Sequence, residues 1–111
     1  MKLDAKQIEN VVIVSIEGDL DAQNAPELAQ FFKDQMAGNM NIIADFSKVE
    51  FISSAGLRVL LATVKEARRQ GGDLRLAATQ KNVDKVLTIS GFTRIIKNYK
   101  NVDEAIKSYT E

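Results

Sequence analysis

Apolar residues change their spacing along this chain in a way that marks alternating strands and helices. Val11-Val12-Ile13-Val14-Ser15-Ile16 is a β-branched run and reads as a buried strand. Leu3 to Ile8 roughly alternates, and Glu9-Asn10 supplies a turn, so the two segments predict an antiparallel hairpin. Gly18-Asp19-Leu20-Asp21 breaks the strand. Asn24 and Pro26 then open a helix, with Pro26 in the first turn, where its missing N–H costs little. Leu28, Phe31, Phe32 and Met36 follow at helical spacing, and Gly38-Asn39 ends that helix.

Met40 to Asp45 predicts a second short buried strand, followed by a polar loop and a short apolar segment, Val49 to Ile52. A long helix should start at Ser53 or Ser54 and run to Gln70. Leu57, Leu60, Leu61, Val64 and Ala67 fall on one of its faces, while Arg58, Lys65, Glu66, Arg68 and Arg69 fall largely elsewhere. After Gly71-Gly72, Asp73 to Ala78 reads as a third core strand. A helix from Asn82 to Ile89, stopped by Ser90-Gly91, leads to a strand over Ile95 to Tyr99. Val102, Ala105, Ile106 and Tyr109 make a last amphipathic helix. Strands and helices alternate after the opening hairpin. The expected fold is therefore one α/β domain over residues 1–111, with a mainly parallel sheet, an antiparallel N-terminal strand and helices packed against it.

Composition narrows the chemistry. The 111 residues contain no His and no Cys, which removes Ser-His-Asp triads, thiol nucleophiles, disulfides and the usual zinc ligands. Fifteen basic residues balance fifteen acidic ones, so no basic excess exists to neutralise a phosphate backbone, and no nucleic-acid partner is expected. The cations Arg58, Lys65, Arg68, Arg69, Lys81 and Lys85 read as solvated surface. No apolar run approaches the roughly 20 residues of a membrane helix, and the first residues lack a secretory h-region. A cytoplasmic protein without membrane insertion, cofactor, metal or enzymatic activity is expected.

The stretch from Asp45 to Leu61 carries the functional expectation. It brings two adjacent serines to the start of the long helix, with Gly56 in the first turn, where it permits close approach of another backbone or a ligand. A phosphate added there finds unpaired N–H groups and a favourable dipole, and brings about −1.5 to −2 charges to the surface. A serine pair before a helix is, by position alone, most often a cap.

These segments resemble the STAS family of anti-sigma factor antagonists. The resemblance rests on Gly18-Asp19-Leu20-Asp21, on Asp45-Phe46-Ser47-Lys48-Val49, and on Phe51-Ile52-Ser53-Ser54-Ala55-Gly56-Leu57. Gly71-Gly72 and Ile89-Ser90-Gly91-Phe92 add to it. It implies phosphorylation at Ser54, with Ser53 as the alternative, by a partner that is both anti-sigma factor and serine kinase, and resetting by a protein phosphatase. It also implies that Asp21 helps form the partner surface. Because the Gly18–Asp21 loop and the start of the long helix lie on the same side of a parallel sheet, the expected surface comprises Asp19, Asp21, Asn24, Ser53, Gly56 and Arg58. Two positions depart from the family pattern: Ser53 stands where the family has Asp, and Ala55 where it has Ser or Thr. Some STAS domains act without a kinase, as scaffolds or as subunits of lipid-transport ATPases. A different class, a response-regulator-like phosphoacceptor, would need Asp19, Asp21 and Asp45 to converge on a metal near Lys97. Strand-end aspartates more commonly initiate turns.

Overall fold

The computed structural model of the protein describes residues 1–38 and 41–110. Two strands, β1 (Lys2–Ile8) and β2 (Val11–Glu17), form the expected hairpin, in register from Lys2 opposite Glu17 to Ile8 opposite Val11. Glu9 makes the turn with a φ of 56°, a conformation uncommon outside glycine. Next come α1 (Ala25–Met36), β3 (Asn41–Lys48), α2 (Ser54–Arg69), β4 (Asp73–Ala77), α3 (Lys81–Ile89), β5 (Asn98–Tyr99) and α4 (Val102–Ser108). The predicted helix end at Asn39 and strand start at Met40 lie outside the described residues.

The sheet order is β1-β2-β3-β4-β5, antiparallel at the first pair and parallel at the other three. Such a sequential parallel order, with right-handed crossovers, sends successive connecting helices to the same side. Accordingly α1, α2 and α3 share one core with Val12, Val14, Ile16, Ile42, Ala44, Leu74 and Leu76. Val11, Ile13, Ile43 and Ala77 point to the opposite face, where Ala105 of α4 covers them. That two-sided burial explains why the first half of β2 is continuously apolar rather than alternating.

Three expectations are corrected. β3 does not end at Asp45 but runs to Lys48, so the presumed polar loop is mostly strand with its last side chains in solvent. The Ile95–Tyr99 strand shrinks to Asn98–Tyr99. Phe92–Arg94 forms a single 3₁₀ turn, and the amides of Ile95 and Ile96 both reach the Phe92 carbonyl at 2.9 Å, which withholds them from the sheet. Ile96 is buried all the same, as a plug delivered by a turn. On α2, Leu57, Leu60, Val64 and Ala67 are buried, but Leu61 is only half-buried; Thr63 takes the remaining core position and donates to the Val59 carbonyl at 2.8 Å.

A polar cluster closes the end of the domain opposite the serines. Asp73 is buried and accepts from Arg68 Nε at 2.8 Å, Arg75 Nε at 3.0 Å and the Leu74 amide at 3.0 Å. Arg75 lies over the Tyr109 ring, 4.0 Å from its centroid. The Tyr109 hydroxyl sits 2.8 Å from the carbonyls of both Ile42 and Asp73 and shares its one proton between them.

Candidate functional site

The site is built where the chain leaves β2 and where it leaves β3. The Gly18 amide donates to the Lys48 carbonyl at 3.0 Å, the Leu20 amide to the Phe51 carbonyl at 2.9 Å, and the Ser53 amide to the Leu20 carbonyl at 2.8 Å. Leu20 and Ile52 form a parallel bridge, and both side chains are buried. The two loops are thus a short continuation of the β2–β3 pairing, which fixes the start of α2 against the Gly18–Asp21 segment. A φ of 113° at Gly18 lets the chain turn out of the strand there.

Gly56 is buried within this junction rather than open to a partner. A Cβ at this position would lie 2.8 Å from Ile52 Cγ1 and 3.1 Å from Leu20 Cβ. The close approach expected at Gly56 is therefore made by side chains of the protein's own loops, and this glycine positions the surface without forming part of it.

Asp21 and Asn24 hold each other. Asp21 Oδ1 accepts from the amides of Gln23 at 2.9 Å and Asn24 at 3.0 Å. Asn24 Oδ1 accepts from the Asp21 amide at 2.9 Å, and its Nδ2 donates to the Asp19 carbonyl at 2.7 Å. Asn24 precedes α1 as expected, but its side chain faces back into the loop and makes no cap bond to the helix. The carboxylate of Asp19 is exposed.

The two serines divide their roles. Ser53, in extended conformation, is the N-cap of α2, and its Oγ accepts from the Gly56 amide at 3.3 Å. Ser54 is the first helical residue and is exposed, and its hydroxyl makes no hydrogen bond among the described residues. No acidic residue occupies the first turn of α2, so no carboxylate of its own first turn offsets the positive end of its dipole. Arg58 is exposed one turn later. Beside them stands Phe51, half in solvent between the buried Val49 and Ile52. Sequence reasoning grouped Phe51 with its apolar neighbours, and residue spacing carried no signal for its separation, since strand alternation would place it on the face of the buried Val49.

The acidic residues do not assemble a phosphoacceptor centre. Among the described residues no three carboxylates converge in a metal-holding group, and Asp45 instead accepts from the Ser47 amide at 3.0 Å. Among the same residues, no helix is long and apolar enough to cross a membrane.

A model of the STAS domain matches residues 2–105. The chain belongs to the STAS domain family. Across 96 residues it is 34% identical to a protein of Bordetella bronchiseptica named as an anti-sigma factor antagonist, BtrV, a match covering 86% of this chain and 83% of that one. The anti-sigma-B factor antagonist of Bacillus subtilis is 29% identical over 96 residues, covering 86% and 88% of the two chains. A solved structure from Thermotoga maritima, described as that of an anti-sigma factor antagonist, superposes with a TM-score of 0.94 at 27% identity, over 98% of this STAS domain and 95% of its own chain.

Proposed function

We propose that this STAS domain is an anti-sigma factor antagonist, a regulatory binding protein rather than a catalyst. Unphosphorylated, it holds an anti-sigma factor that is also a serine kinase. Phosphorylation at Ser54 releases it, and a phosphatase resets the switch. The observation that carries this reading is the division of labour at the start of α2: Ser53 caps the helix, which leaves the Ser54 hydroxyl exposed and unbonded in a first turn that holds no carboxylate. A phosphate there is accommodated by the fold and placed in the path of a docked partner.

The surface proposed for the partner joins Asp19, Asp21, Ser53, Ser54 and Arg58, with Asn24 ordering the loop and Gly56 setting its approach to α2. The match to relatives named as anti-sigma factor antagonists over most of this chain supports the choice of partner class. A second reading, a kinase-independent scaffold, is favoured by the missing carboxylate at position 53. Incubating the purified protein with the serine-kinase anti-sigma factors of its own genome and ATP, followed by peptide mass spectrometry, separates the two. Phosphate on Ser54 is expected. Phosphate only at positions other than Ser53 and Ser54, or none with any kinase, overturns the switch in favour of the scaffold.

A further inference from the structure

Between α1 and α2 the surface opens into a groove of about 970 Å³. Its floor is low because Ala25 and Ala29 of α1 and Ala62 of α2 present only methyl groups to it. Two cations line it: Lys33, in the last turn of α1, and Arg58 of α2. Both are exposed, and among the described residues neither has an ion-pair partner. The one carboxylate of the lining, Glu66, is already engaged by Arg69, whose Nη2 lies 2.6 Å from Oε2, and by the Gln70 amide. The groove therefore offers an apolar trough, two unpaired positive charges and no free negative one.

We propose that this groove receives an amphipathic helix of the partner protein, seated by its apolar face and carrying carboxylates along its edge toward Lys33 and Arg58. The inference rests on the partner-binding reading above and adds the place and the chemistry of the contact. An open trough leaves most of a small molecule in water, whereas a helix laid along two others buries a continuous face. α1, at 12 residues, gives such a helix a track of roughly 18 Å. The unpaired cations select acidic edges and repel basic ones. Ser54 precedes Arg58 by one turn, so the two side chains lie on the same helical strip. A phosphate on Ser54 draws the Arg58 guanidinium to itself and removes one of the groove's two positive charges. Phosphorylation thereby reaches a contact that lies beyond the modified hydroxyl.

The test uses the full ¹⁵N-labelled chain and two synthetic amphipathic helices with the same leucine face, one edged with glutamates and one with lysines. The glutamate peptide is expected to give saturable shifts confined to α1 and α2, with about tenfold tighter binding than the lysine peptide. Ser54→Asp narrows that difference, and the Lys33→Glu/Arg58→Glu double variant reverses it. Ala62→Leu, at an exposed position that tolerates the larger side chain, abolishes binding of both peptides while the melting temperature holds. Absence of saturable shifts, shifts centred elsewhere, or a preference untouched by charge reversal overturns the groove. Kinase-dependent phosphorylation of Ser54 alongside such a negative titration leaves the switch standing without the groove; a positive titration without phosphorylation removes the switch alone.

Discussion

The amide of Ser53 donates to the carbonyl of Leu20 at 2.8 Å, and this bond ties the N-cap of α2 to the loop that follows β2. With the Leu20 amide bound to Phe51 in the other direction, the two loops exchange hydrogen bonds as neighbouring strands do. The aspartates of one loop and the serines of the other therefore sit in one frame. A surface read by a partner gains from that rigidity, because its groups need no ordering at the moment of binding.

Gly56 is the keystone of that frame, and Gly56→Ala tests it. The new Cβ would fall 2.8 Å from Ile52 Cγ1 and 3.1 Å from Leu20 Cβ, and both neighbours are buried. Overpacking of this kind costs about 1–3 kcal/mol. Urea unfolding should show that loss, and adding Ile52→Ala, which removes the clashing atom, should cost less than the sum of the two single changes. Strict additivity would mean that the loops relax apart.

Ser53→Ala and Ser54→Ala should separate cleanly in stability. The first removes the side-chain cap of α2 and should cost about 1 kcal/mol. The second removes an exposed hydroxyl without a partner and should stay within about 0.5 kcal/mol of the parent. Equal losses in denaturation would move the cap from Ser53 to Ser54.

How far the sequence could be read depended on where periodicity alone decides. The β-branched run of β2, the heptad-like face of α2 and the glycines after it gave the hairpin, the long helix and the parallel order. Ile95-Ile96 misled because an apolar β-branched pair suits a strand and a core plug equally, and the Phe92 carbonyl captures both amides. The serine pair was legible as the start of the long helix, but which serine caps and which is free depends on the extended conformation of Ser53, which no residue spacing encodes. Asp73 was read only as the start of a strand. Its partners Arg68 and Arg75 and the Tyr109 beyond them converge through tertiary contacts between α2, β4 and the C-terminal residues.

Tyr109 gives a pH prediction. Burial, with the Asp73 charge adding to it, pushes its phenol well above the ordinary value of about 10. The folded state thus favours the protonated phenol more than the unfolded chain does. This contribution is fully present below pH about 10 and is lost as pH rises from the unfolded value toward the folded one. Stability measured by urea unfolding should decline above pH about 10, and Tyr109→Phe should flatten the decline while costing about 1 kcal/mol at neutral pH from its lost hydrogen bond. An unchanged alkaline slope in the Phe variant would place the titrating group elsewhere.

The switch makes its sharpest prediction where charge and folding pull apart. Ser54→Asp adds a negative charge to the first turn of α2, which holds no carboxylate, so the fold should be retained or gain about 0.3–1 kcal/mol. Affinity for the anti-sigma partner should nevertheless fall by about tenfold or more, because the added anion takes Arg58 from the partner's carboxylates and repels them. Ser54→Ala should bind without release by the kinase. At Asp21 the substitution must be chosen with care: its carboxylate holds the amides of Gln23 and Asn24, so alanine would loosen the loop as well as strip the charge. Asp21→Asn keeps an acceptor and removes only the charge, and it should weaken partner capture with little change in melting temperature. Calorimetric titration of the partner into these three variants, beside their thermal melts, reads both quantities at once. Affinity that tracks stability across the set would make this corner of the domain structural, whereas a stable Ser54→Asp that fails to bind is the signature of a charge-operated release.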